Sequence, residues 1–128
     1  MAIAHHALIA DDNADNRTIC RLILEKSGFI VQEAVDGAEA ISQLKLTHFA
    51  LLLLDMQMPI ADGRSVVKWI KAVPDCRPLN IVVLTANSHW VTDEVQSEVD
   101  FVMHKPIGPT EFTQFARRIA SGLELSSR

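Results

Sequence analysis

Four consecutive leucines, Leu51 to Leu54, stop at Asp55. Hydrophobic period cannot assign so short a run, and leucine's helix propensity points mildly toward a helix. The stop at Asp55, followed by Met58-Pro59 and Asp62-Gly63, favours a strand buried on both faces. Strands of that kind occur almost only in parallel sheets covered by helices on both sides. The rest of the chain can therefore be asked whether it supplies the helices.

It does, in alternation. Ala7-Leu-Ile-Ala10 is a short apolar run ending at Asp11-Asp12-Asn13, and Ile19, Leu22 and Ile23 then recur with helical spacing until Ser27-Gly28. Phe29 to Ala34 reads as a second strand closed by Asp36-Gly37, with Ala38, Ile41 and Leu44 marking a second helix. Val66, Ile70 and Val73 follow the leucine strand at i, i+4, i+7, and Pro74 and Pro78 close that helix. Asn80-Ile-Val-Val-Leu84 is the fourth strand and Thr85 to Ser88 its exit loop. Val91, Val95 and Val99 mark a weak fourth helix, because β-branched side chains lose rotamer freedom there. Phe101 to Met103 is a short last strand. Pro109 then suits a first helical position before the stripe Phe112, Phe115, Ala116, Ile119, Ala120, Leu123.

Five strands alternating with five helices through short connections predict right-handed crossovers and a mostly parallel, doubly wound α/β sheet. The length of 128 residues suits one domain, with its core from about residue 7 to 123 and residues 124–128 as a tail or linker. A hydrophobic content of 48% excludes disorder as the main theme. The net charge of −4, with no block of like charges, argues against direct nucleic-acid binding. Neither the Phe49–Leu54 run nor the opening Met1-Ala-Ile-Ala-His-His6 has the form of a membrane span or signal peptide, so a cytoplasmic location without membrane insertion is expected. Cys20 and Cys76 form no C-x-x-C pair, which suits a reducing compartment. His5 and His6 are expected to be a solvated terminus rather than metal ligands, since neighbours on a strand face opposite ways.

Open parallel sheets place their sites beyond the carboxyl ends of the strands. The polar residues following strands one, three, four and five are Asp11 with Asp12, Asp55, Thr85 and Lys105. Taken singly, each has an ordinary reading as a helix cap, a strand end or an exposed loop residue. Taken together, three carboxylates at one sheet end repel unless a cation joins them or one stays protonated. No His or Cys falls among them, so a hard ion such as Mg²⁺ is favoured over zinc. A carboxylate can also accept a phosphoryl group, with Mg²⁺, the Lys105 ammonium and the Thr85 hydroxyl neutralising its oxygens.

These residues carry a resemblance. Leu8-Ile-Ala-Asp-Asp12, Leu51 to Pro59 with Asp62-Gly63, Val83-Leu-Thr-Ala86 and His104-Lys-Pro106 occur in order, each at a strand end. From about Leu8 to Leu123 the chain resembles the receiver domain of two-component response regulators. The resemblance implies a flavodoxin-like strand order 2-1-3-4-5. It implies Asp55 as phosphoacceptor, Asp12 and the Gln57 backbone carbonyl as direct Mg²⁺ ligands together with Asp55, and Asp11 holding the ion through water. It makes Lys105 and Thr85 the groups that meet the phosphoryl oxygens, with Ala86 small where that group enters. Gln57 and Asn87 would tune the lifetime of the acyl phosphate. Such a protein catalyses its own modification and is not an enzyme with turnover on a free substrate.

Asp12-Asn13 with Asn16-Arg17, Asp55-Met-Gln-Met-Pro59, Thr85-Ala-Asn87 and Lys105-Pro-Ile107 are most similar to receivers of hybrid histidine kinases and phosphorelays. The implied partners are a histidine kinase or a histidine phosphotransfer domain, an unnamed downstream protein, and a weak homodimer. Three features depart from the family pattern. Val102 stands where an aromatic switch residue is usual, with Phe101 facing the other side of the strand. Glu98-Val99 replaces a small Gly-Ala pair, and the Thr85 to Lys105 interval is short. These predict an altered or partly unwound fourth helix and an atypical output face. They also leave a second reading, a pseudo-receiver that docks a partner without phosphoryl turnover.

Overall fold

The computed structural model describes residues 5–58, 60, 62–73, 79–86, 91–106 and 108–126. In chain order the elements are β1 His5–Ala10, α1 Ala14–Lys26, β2 Phe29–Ala34, α2 Gly37–Leu46, β3 Leu51–Asp55, α3 Gly63–Ala72, β4 Asn80–Thr85, α4 Asp93–Glu98, β5 Phe101–His104 and α5 Pro109–Ser126. The sheet runs β2-β1-β3-β4-β5 and every pairing is parallel, the doubly wound arrangement that the alternation predicts.

The leucine run shows why β3 lacks alternation. Leu51 and Leu53 face the layer of α1 and α5, packing with Ile9, Leu24 and Phe112. Leu52 and Leu54 face the layer of α2 and α3, packing with Leu8, Ala40 and Val66. All four are fully buried, each worth about 1.5–3 kcal/mol of transfer free energy. A strand with helices on both sides needs apolar residues at every position, and length rather than period identifies it.

Short polar residues start the helices where they follow strands. Asn13, Asp36, Asp62 and Thr92 cap α1 to α4, each side chain accepting the backbone N–H three residues on. Such caps contribute roughly 0.5–2 kcal/mol apiece and fix where each loop ends. Pro109 opens α5, where its missing N–H costs nothing. The helix continues to Ser126, beyond the core boundary at residue 123 suggested by its stripe.

The fourth helix has six residues against ten or more in every other helix. Only Val95 of the three expected valines lies within it; Val91 precedes the Thr92 cap and Val99 ends the helix. The three still pack together with Met56, Val83 and Val102 on the same side of the sheet. The shortening is what the β-branched cluster predicts. Asp100 then ties the start of β5 to β4, its carboxylate accepting the Ile81 N–H at 2.7 Å and its own N–H donating to the Ile81 carbonyl at 2.9 Å.

His5 and His6 do not form a solvated terminus. They belong to β1, pair with Phe29 and Ile30, and are half-buried, the His6 ring meeting Phe49 edge-on at 6.5 Å. Backbone pairing with β2 extends the strand two residues before its apolar stretch, whatever the side chains. Cys76, Pro74, Pro78, Asn87, Trp90 and Ile107 lie outside the described residues.

Gly63 is fixed by close packing. A Cβ there would lie 2.8 Å from the Asp55 carbonyl oxygen and 2.8 Å from the Met56 Cα, where the α3 N-terminus crosses the end of β3. Gly122, by contrast, has open space around the same position. Gly63→Ala should therefore destabilise the fold by about 1–3 kcal/mol. Gly122→Ala should be neutral or stabilising by up to about 1 kcal/mol. Denaturant melts of the two variants check this, and equal effects would contradict it.

Candidate functional site

The carboxyl ends of β1, β3, β4 and β5 converge as the strand-end reading expects. Asp11 and Thr85 are each 1% exposed and Asp55 is 5% exposed, whereas Asp12 is open to solvent. One carboxylate oxygen from each of Asp11, Asp12 and Asp55 can be chosen so that all three lie within 4.8 Å of one another. Lys105, on the loop after β5, reaches across the sheet end: its Nζ lies 3.1 Å from Asp11 Oδ2 and 3.4 Å from Asp55 Oδ2.

The backbone holds these groups in place. The Asp11 N–H donates to the Ala34 carbonyl at 3.1 Å, Asp11 Oδ1 accepts the Asn13 N–H at 2.9 Å, and the Asp11 carbonyl accepts Arg17 Nη1 at 2.8 Å. Asp55 Oδ1 accepts the Gln57 N–H at 3.1 Å. Behind it, the Met56 N–H donates to the Leu84 carbonyl and the Gly63 N–H to the Met56 carbonyl, both at 3.2 Å. The Lys105 N–H donates to the Thr85 carbonyl at 2.9 Å, so the β4 to β5 pairing carries the lysine to the site.

Electrostatics follow from this crowding. Burial pushes the Asp55 carboxyl up from its ordinary 3.8 to about 6; the Gln57 N–H opposes the shift, the Asp11 charge adds to it, and Lys105 opposes it. Burial alone would lower the Lys105 ammonium, but Asp11 and Asp55 outweigh it and hold the group above its ordinary value. Cys20, buried nearby in the α1 layer, is raised to about 11 by burial and by Asp11, which makes it a packing residue rather than a reactive thiol. An oxygen-only donor set, two of its three members buried, fits a hard divalent cation of the Mg²⁺ kind and not zinc.

Of the remaining expected residues, Gln57 and Ala86 are exposed beside the cluster, Ala86 lining a cavity that it shares with Lys105. Val102 packs away from the carboxylates, against the Met56 and Val83 cluster under α4. Phe101 faces the other layer and meets Phe115 of α5 edge-on at 5.0 Å. Asn87 falls outside the described residues. Sequence reasoning gave no role to the Arg17 and Glu33 pair, because nothing local places α1 beside the far end of β2.

A family model described as the response regulator receiver domain matches residues 7–117. The chain belongs to that family. Among curated relatives of this receiver, the transcriptional regulatory protein ResD of Bacillus subtilis is 33% identical over 109 residues, covering 81% of this chain and 43% of ResD. Hybrid signal transduction histidine kinase A of Dictyostelium discoideum is 33% identical over 107 residues, covering 79% of this chain and 5% of the kinase. The receiver thus spans less than half the length of either relative. Among solved structures, the response regulator TrrA of Thermotoga maritima, in complex with Mg²⁺ and BeF, aligns with a TM-score of 0.77 at 26% identity, covering 90% of this chain and 98% of that one. No helix among the described residues of the receiver is long and apolar enough to cross a membrane.

A carboxyl raised by folding binds its proton more tightly in the folded than in the unfolded state. The resulting stability is fully present below about pH 4 and is lost as pH rises through about 6. In the presence of a chelator, Asp55→Asn should therefore raise the melting temperature at pH 7.5 by roughly 3–8 °C, and the gain should close as pH falls toward 4. Paired thermal melts across this range check the sign; a variant less stable than the parent at pH 7.5 would contradict it.

Proposed function

We propose that this receiver accepts a phosphoryl group on Asp55 from a phosphohistidine of a histidine kinase or histidine phosphotransfer domain, and so switches a protein-interaction face. The observation that carries the reading is the buried Asp55 carboxyl, raised to about 6, beside the Lys105 ammonium and two further carboxylates. Asp55 is ionised at neutral pH yet more basic than an ordinary carboxylate, which suits a nucleophile. Its oxygen forms the new O–P bond as the N–P bond of the donor imidazole breaks. The electron pair of that bond returns to the ring nitrogen.

Mg²⁺ would be held by Asp12, Asp55 and the Gln57 carbonyl, with Asp11 acting through water, and bound there it would neutralise charge on the transferring group. Lys105 stands against Asp55 and supplies a fixed positive charge to the phosphoryl oxygens. Thr85, at the end of β4, offers its hydroxyl to the same oxygens, and Ala86 leaves room for them. Gln57 and Asn87 flank the approach of hydrolytic water. The receiver thus catalyses its own modification, and the readout passes to a downstream protein. Because α4 is short and Val102 fills the usual aromatic position, this switching face differs from one that depends on an aromatic flip. The complete acidic and basic set supports phosphoryl acceptance over a docking module without turnover.

Incubation with acetyl phosphate and Mg²⁺ should add one phosphoryl group by intact mass, and Asp55→Asn or chelation should abolish the gain. Lys105→Ala should slow it about a hundredfold or more, as for loss of one stabilising charge. A mass gain that persists in Asp55→Asn would contradict the assignment.

A further inference from the structure

We infer that Arg17 is a positioning residue for the cation site, acting through the backbone carbonyl of Asp11. The inference rests on reading Asp11, Asp12 and Asp55 as a Mg²⁺ site and concerns what holds that site in shape. The β1 to β2 ladder ends where Ala10 stands opposite Ala34, and the Asp11 N–H makes the last backbone bond to β2. Beyond that point no strand residue among those described is paired with Asp11, and its carbonyl is met by Arg17 Nη1 at 2.8 Å. The guanidinium extends the sheet by one hydrogen bond. That bond holds the peptide joining Asp11 to Asp12.

The guanidinium is itself held. Its Nε donates to Glu33 Oε1 at 3.1 Å, and the Arg17 side chain is only 15% exposed. Glu33 also pairs with Arg21 through Oε2, while its backbone carbonyl accepts Gln43 Nε2 of α2 at 2.7 Å. Residues of α1, β2 and α2 therefore fix the direction from which Arg17 meets Asp11. A rigid planar fork is suited to this task, because two of its N–H groups bond two acceptors at a set angle.

The consequence falls mainly on Asp12. Asp11 is buried, and its carboxylate is held at both oxygens, by the Asn13 N–H and by Lys105. Asp12 is exposed, so packing does not set its direction; the peptide that Arg17 holds does. Release of that peptide leaves Asp12 free to swing away from Asp11 and Asp55. Partners one shell beyond metal ligands commonly contribute 10–100-fold in affinity.

The test separates this role from simple stabilisation by the ion pair. Arg17→Met and Glu33→Gln both weaken the Arg17–Glu33 pair, but only Arg17→Met removes the donor to Asp11. Titration with Mg²⁺ alone, followed by calorimetry on each folded variant, should show affinity lowered about tenfold or more by Arg17→Met and about threefold or less by Glu33→Gln. Without Mg²⁺, exchange of the Asn13 amide, which bonds Asp11 Oδ1, should be faster in Arg17→Met than in the parent and near parental in Glu33→Gln. If Arg17→Met does not fold, Arg17→Gln, whose shorter side chain cannot span both acceptors, replaces it. Equal losses of Mg²⁺ affinity in the two variants, or parental affinity in the Arg17 variant, would overturn the inference. A parent that binds no Mg²⁺ would instead overturn the cation reading, and the Asn13 exchange rates would still decide whether Arg17 holds the turn.

Discussion

The Lys105 ammonium lies 3.1 Å from Asp11 and 3.4 Å from Asp55, and that single positive charge lets a parallel sheet end on two buried carboxylates. Burying an isolated carboxylate costs several kcal/mol, and two neighbouring ones also repel. Lys105 comes from the opposite edge of the sheet to β2, with β4 and β5 delivering it through their parallel register. The site is therefore a product of sheet order. Four strands separate Asp11 from Lys105 in sequence, yet one side chain closes the gap between them.

The compensation is incomplete, and the incompleteness has a use. Asp55 retains a raised affinity for protons despite Lys105, because burial and the Asp11 charge outweigh the favourable contacts. A group that is uncomfortable when ionised gains more from a cation or from esterification than a solvated carboxylate does. Stability given up at this end of the sheet is supplied elsewhere, by the fully buried residues of β1 and β3 packed between two helical layers. The acidic cluster and the stabilising core thus draw on different parts of the same strands. Their apolar stretches hold the fold together, and the carboxylates where they end, Asp11 and Asp55, form the acidic cluster.

Much of this was legible in the sequence because strand length and strand-end chemistry are local properties. The Leu51–Leu54 run, the closing Asp36-Gly37 and Asp62-Gly63 pairs, and the stop residues Asp11, Asp55, Thr85 and Lys105 each announce themselves within a few positions. Even the short α4 was readable from the rotamer cost of its valines and from the replaced Gly-Ala pair. Less was legible where the decisive partner is distant in sequence. The burial of His5 and His6 depends on pairing with β2, the need for Gly63 on the crossing of α3 over β3, and the ion pair of Arg17 on a residue of β2, Glu33. Composition and spacing carry no signal for contacts of that kind in a single chain.

The most direct test of the account is a crystal structure of the receiver with Mg²⁺ and beryllofluoride. Beryllium is expected on a carboxylate oxygen of Asp55, with fluorine atoms facing Lys105 and Thr85 and the metal touching Asp12, Asp55 and the Gln57 carbonyl. Beryllofluoride on another residue, or a metal bound away from these three ligands, would contradict it.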